Sequence, residues 1–150
     1  MPRTLVAVIL GMIACQAVFG LLALAVMQLW PDYATHAHHW LDHRAFTFTS
    51  IMACMNLVFW VLSFVSAGWT TARIARDGRA LWALAVLMEI YAVYVHLLRD
   101  WSTFPWWYNL IVVLAVIPAT LWGGRIGRLV IPSHSAPGHF WCTGTSSGSR

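Results

Sequence analysis

Four long apolar stretches restrict this chain more than any other feature. They run roughly from Thr4 to Trp30, Phe46 to Trp69, Ala80 to Leu98 and Trp106 to Trp122. A helix rises ~1.5 Å per residue, so ~20 residues cross the ~30 Å hydrocarbon core of a bilayer. In that medium backbone N–H and C=O groups must bond within the segment, so each stretch has to be helical. Composition agrees. The chain is 60% hydrophobic and 9% charged, whereas soluble domains carry about 25% charged residues. The expected fold is all-α, a polytopic membrane protein whose four transmembrane helices form an up-down bundle over residues 1–130. Residues 131–150 are rich in Ser, Gly, Pro and Thr without an apolar period, and read as a disordered cytoplasmic tail. The first stretch is far longer than the ~7–15-residue core of a signal peptide, so it reads as an uncleaved membrane helix.

The basic residues suggest an orientation. All nine are arginine. Arg3, Arg73, Arg76, Arg79, Arg125 and Arg128 fall at one set of helix ends, and only Arg44 and Arg99 at the other, each near an acid, Asp42 or Asp100. An excess of Arg in short loops marks the cytoplasmic side, so both termini are expected there. The net charge of +4 is spread over loops with no basic run, so the bilayer, not nucleic acid, is the expected partner. Trp30, Tyr33, Trp40, Trp101, Trp106, Trp107 and Tyr108 fit an outer aromatic belt, and Trp69, Trp82 and Trp122 an inner one.

Three motifs have a recurrent layout. Ala67-Gly68-Trp69-Thr70-Thr71-Ala72-Arg73-Ile74-Ala75 ends the second stretch. Pro105-Trp106-Trp107-Tyr108-Asn109-Leu110 begins the fourth, and Pro118-Ala119-Thr120-Leu121-Trp122-Gly123-Gly124 closes it. In this the chain resembles small uncharacterised four-helix bacterial inner-membrane proteins. The likeness covers the second to fourth helices and implies an inner-membrane location, with Pro and then Gly-Gly closing the last helix. It implies no activity.

Chemistry has two candidate locations. Glu89 is the tenth of nineteen residues in the third stretch, on a seam Trp82, Ala85, Glu89, Ala92 and His96 spaced 3, 4, 3 and 4, which puts all five on one helix face. Thr49, Ala53, Asn56, Trp60, Ser63 and Ala67 make a comparable face on the second helix, and Gln16, Gly20, Ala23 and Met27 on the first. Small and polar residues mark the inward side of a membrane bundle. Glu89, Asn56, Gln16 and His96 are therefore expected to form an intramembrane polar layer. An ionised carboxylate at mid-membrane costs at least ~2.5–3.5 kcal/mol, whereas a hydrogen bond there contributes about 0.6 kcal/mol. Glu89 is thus expected to be protonated at rest, with the two amides as partners, acting as a structural node or as a proton or cation site.

The second location is the first outer loop. Asp32, His36, His38, His39, Asp42 and His43 fall within twelve residues. On a helix His39 and His43 would stand four apart, a spacing that lets two imidazoles share Zn or Cu, with His36 and His39 as a second pair and His96 as a third ligand. Against this stands a solvated interfacial segment that senses nothing, and no complete ligand set is fixed by spacing. His134, His139 and Cys142 are too scattered to argue for a metal.

Other chemistry is disfavoured. Cys15, Cys54 and Cys142 form no C-x-x-C. A haem needs two axial ligands inside the bundle, but His96 is the sole histidine within a spanning stretch. No nucleophile–base pair or phosphate loop indicates an enzyme. Ala115, Ala119 and Gly123, and Ala7, Gly11 and Cys15, are small-residue ladders suited to packing within the bundle, to a homodimer, or to a larger membrane partner. The expectation is a non-enzymatic integral membrane protein without a bound cofactor, structural or accessory in role. Its alternatives are a proton-coupled small transporter centred on Glu89 and a periplasm-facing metal or pH sensor using the loop histidines.

Overall fold

The structure, a computed structural model, describes residues 2–41, 48–75, 78–99 and 101–129. Residues 131–150, read above as a tail, lie outside the described residues, as does His43. The described chain is all helical: α1 (Pro2–Leu29), α2 (Pro31–Leu41), α3 (Ser50–Ala75), α4 (Gly78–Val93) with a π-helical continuation Tyr94–Arg99, and α5 (Trp106–Leu129). Arg3–Leu29, Ser50–Ala75, Gly78–Arg99 and Trp106–Leu129 are each long and apolar enough to cross a membrane. The chain is built as a multi-pass membrane protein.

Helix α3 is the hub, packing most extensively on α5 and α1. Its contact with α5 is a small-residue crossing. A Cβ on Gly68 would fall on the Thr120 carbonyl, and one on Gly123 on the Val65 backbone. Close backbone approach of this kind gives the van der Waals contact that replaces hydrophobic driving force in lipid. It also explains why Gly123-Gly124 does not close the last helix as the resemblance implied. Both glycines are buried in packing against α3 and α4 and the helix runs on to Leu129. The α1 ladder is used in the same way, for Ala7 and Cys15 are buried and Gly11 lies against Thr71, Leu84 and Ala67.

One end of the bundle gathers arginines. Arg3 Nε donates to the Ile74 carbonyl at 2.8 Å, Thr71 Oγ1 donates to Ala7 O at 3.2 Å, and Gly78 faces the Arg128 guanidinium. This stitches the start of α1 to the end of α3.

The polar faces are partly as expected. Ala53, Asn56, Ser63 and Ala67 of α3 are buried, and the Ser63 hydroxyl is satisfied by its own helix, donating to Phe59 O at 2.6 Å. The buried stripe of α4 is Leu81, Leu84, Ala85, Met88 and Ala92. It is turned about one residue from the expected seam, so Trp82 faces outward, 54% exposed, and Glu89 sits at the edge of the contact.

Candidate functional site

Beyond Cys15, α1 contributes no buried residue. Its second half packs through Phe19, Leu22, Val26 and Met27 against the cluster of Tyr33, Phe48, Met52 and Phe59, and a cavity of about 290 Å³ lies alongside in the α2 half of the bundle. Gln16, Phe19, Gly20, Ala23, Leu24 and Met27 line it from α1, at positions that share one helix face. Helix α2 folds back over the end of the cavity and inserts Tyr33, 2% exposed, among Trp30, Phe48 and Phe59. The Tyr33 hydroxyl donates to Asn56 Oδ1 at 2.8 Å, and both residues line the cavity. Burial holds the Tyr33 hydroxyl above its ordinary pKa of 10.0, with the bond to Asn56 opposing.

The floor is formed by α4 and α5. Asn109, fully buried, donates from Nδ2 to Trp101 O at 3.2 Å, and its Oδ1 lies 3.2 Å from His96 Nδ1. The amide is oriented by the carbonyl it serves, so its oxygen faces the imidazole and accepts from Nδ1–H. In the neutral ring this makes Nε2 the acceptor nitrogen. The π-helical turn accompanies this arrangement. Its wider winding brings the consecutive residues Val95 and His96 both into buried positions lining the cavity.

The walls are aromatic. Phe19 packs on Trp60 with ring centroids 4.4 Å apart, Phe104 on Tyr108 at 4.6 Å and Phe48 on Phe104 at 4.7 Å. Two buried polar atoms of lining residues stay unsatisfied. Asn56 Nδ2 has no partner, and the Tyr108 hydroxyl, beside the Trp60 indole, makes no well-formed hydrogen bond. A buried polar group left unmade costs about 1–3 kcal/mol, so such atoms call for an explanation. The cavity opens sideways, since Leu24 of α1 and Tyr91 of α4 line it and are 57% and 39% exposed on membrane-spanning helices.

The chain matches no protein-family model, no curated protein and no solved structure.

Of the expected polar layer, Gln16, Asn56 and His96 line this one cavity and Glu89 does not. Asn56 gives its oxygen to Tyr33 and its Nδ2 to nothing, while Glu89 Oε2 is also without a partner. The expected pairing of Glu89 with the amides is thus replaced by a Tyr33–Asn56 pair, because α4 is rotated and Glu89 lies at the contact edge. Of the loop histidines, His36 turns Nδ1 to its own helix, 2.8 Å from Asp32 O, and His38 is exposed two residues further on, toward another side of α2. His39 belongs to α2, its side chain lying, like His43, outside the described residues. Among the described residues no three His, Cys, Asp or Glu side chains converge on a metal position.

Sequence reasoning missed Tyr33, Asn109 and Tyr108 as site residues. By sequence both tyrosines fit an outer aromatic belt, whereas in the fold both are buried, Tyr108 completely. The available signal was Asn109, an amide set within the apolar fourth stretch.

Proposed function

We propose that this protein is a non-catalytic accessory component of the bacterial inner membrane, both termini cytoplasmic, that receives a small lipid-soluble ligand in the outer half of its bundle. The observation that carries this reading is the mostly apolar cavity, open beside the exposed Leu24 and Tyr91 of two membrane-spanning helices. Orientation and location draw support from the arginines gathered at one end and from the likeness to small four-helix inner-membrane proteins.

The test is organic extraction of the full chain purified in mild detergent, followed by mass spectrometry. One lipid-soluble compound per chain is expected in the wild type and none in Gly20→Trp, which fills the cavity from α1. Equal extracts from both proteins would refute the reading.

A second reading has one observation in its favour. Glu89 Oε2 is buried without a hydrogen-bond partner inside a membrane-spanning helix, as a proton-carrying carboxyl would be. Proton flux in proteoliposomes that Glu89→Gln abolishes would support a coupled transporter; no flux in either protein would dismiss it.

A further inference from the structure

Three of the four spanning helices carry the same pair of residues at the arginine end. Trp69 is followed by Arg73 on α3 and Trp122 by Arg125 on α5, while on α4, which runs the opposite way, Trp82 is preceded by Arg79. Each spacing is three or four residues, so indole and guanidinium share one helix face, with the arginine nearer the end of the bundle. The tryptophans are 41%, 60% and 54% exposed on membrane-spanning helices. Arg79 and Arg125 are exposed, and Arg73 is half-buried with its guanidinium carbon 4.9 Å from the centre of the Trp69 ring. Three or four residues of helix rise ~4.5–6 Å, and the headgroup layer on each side of the hydrocarbon core is about 5–7.5 Å deep. An indole at the edge of the core therefore puts its arginine at the level of the lipid phosphates.

Charge at this end is lopsided by sequence. Arg3, Arg73, Arg76, Arg79, Arg125 and Arg128 belong to it against one acid, Asp77, since Glu89 is mid-span and Asp32, Asp42 and Asp100 belong to the other end. A guanidinium without a carboxylate of its own is matched by a phosphodiester, which it can grip through two N–H donors. Arg3 and Arg128 are turned to other work, Arg3 Nε donating to Ile74 O and Arg128 facing Gly78 of α4.

We propose that this rim binds anionic phospholipid of the adjoining leaflet, with headgroup phosphates held by Arg73, Arg79 and Arg125 and the first acyl carbons lying against Trp69, Trp82 and Trp122. A zwitterionic lipid supplies the same phosphate, but the arginine excess repels its ammonium, so net negative headgroups are preferred. An acidic protein segment would answer the charge but not the tryptophans, which stand at hydrocarbon depth on the same faces. The rim is separate from the cavity and does not depend on what the cavity holds.

The experiment is native mass spectrometry of the full chain in mild detergent. The probes are dioleoyl phosphatidylglycerol, dioleoyl phosphatidylcholine and glycerol 1-phosphate, a headgroup without its chains. Phosphatidylglycerol is expected to bind more tightly than either of the others. Each arginine beside an anionic headgroup contributes roughly fivefold in affinity. Arg73→Gln, Arg79→Gln and Arg125→Gln combined should therefore weaken phosphatidylglycerol binding about a hundredfold, and the three matching Lys substitutions, which keep the charge, should retain most of it. A further comparison separates the helix face from net charge. Arg125 and Arg128 are both exposed on α5, but only Arg125 follows a lipid-facing tryptophan, so Arg125→Gln should weaken binding more than Arg128→Gln. The proposal is overturned if phosphatidylcholine or glycerol 1-phosphate binds as tightly as phosphatidylglycerol, if the triple Gln variant binds like the wild type, or if Arg128→Gln costs as much as Arg125→Gln. A polyglutamate peptide that binds more tightly than phosphatidylglycerol, and is lost in the triple variant, would assign the rim to an acidic protein instead.

Discussion

Tyr33 reaches from α2 to donate to Asn56, and this one bond closes the end of the cavity. Tyr33→Phe leaves the Asn56 oxygen buried without its donor and is expected to destabilise the protein by about 1–3 kcal/mol, measured by chemical unfolding in detergent. Because burial raises the Tyr33 pKa above 10.0, the folded state holds this proton more tightly than the unfolded state. The associated stability is fully present below pH 10.0, the unfolded value, and is lost as pH rises through the folded value. Tyr33→Phe should remove that alkaline loss, and a wild-type-like alkaline loss in the variant would contradict the assignment. His96 offers a second check at this scale. Its Nδ1–H tautomer is set by Asn109, whose orientation is set by Trp101 O. Nitrogen-15 NMR of histidine-labelled protein should show protonated Nδ1 and unprotonated Nε2 in the wild type, and a mixture of tautomers in Asn109→Leu.

The helices divide into tightly and loosely packed halves, and glycine substitutions separate them. A Cβ at Gly68 falls on the Thr120 carbonyl, backbone that cannot yield without parting α3 from α5. Gly68→Ala is expected to cost ~1–3 kcal/mol or more from overpacking. At Gly20 a Cβ meets open space, so Gly20→Ala should be neutral or stabilising by up to ~1 kcal/mol, the helix-propensity gain over glycine. Unfolding of the two variants side by side checks this, and equal destabilisation would mean that α1 packs tightly along its whole length. The contrast follows from the small-residue faces. Ala7, Gly11 and Cys15 draw the first half of α1 onto α3 and α4, whereas the second half packs through larger side chains, Phe19, Leu22 and Val26, and leaves Gly20 beside the cavity.

As a whole molecule the protein is a four-span bundle whose arginine-bearing end is close-packed and whose α2 end encloses a cavity. The proposed topology, argued from the positive-inside rule, puts the arginine end in the cytoplasm. A membrane-impermeant maleimide applied to intact cells should therefore label Ser102→Cys but not Gly78→Cys, both in a background with the native cysteines replaced. Labelling in the opposite pattern would invert the topology and place the cavity in the inner leaflet.

Class, span number and helical state were legible in the chain because each follows from a solvent constraint that acts locally: an apolar run of sufficient length must be helical in lipid. The inward face of α3, with Asn56 and Ser63, was legible for a related reason, since its period is local. The site was not. Glu89 is the most conspicuous residue in the sequence, yet it lies at a contact edge because the azimuth of α4 is set by packing of Leu81 and Met88 against its neighbours. Tyr33 and Tyr108 resemble interface anchors in sequence. Only the fold-back of α2 and the docking of α5 on α3 bury them beside the cavity that they line. Depth in a bilayer is fixed by position along a helix and can be read from sequence. Rotation and separation of helices depend on contacts between distant segments, so the structure alone decided that Asn56, His96, Tyr108 and Gly20 share a cavity and that Glu89 stands outside it.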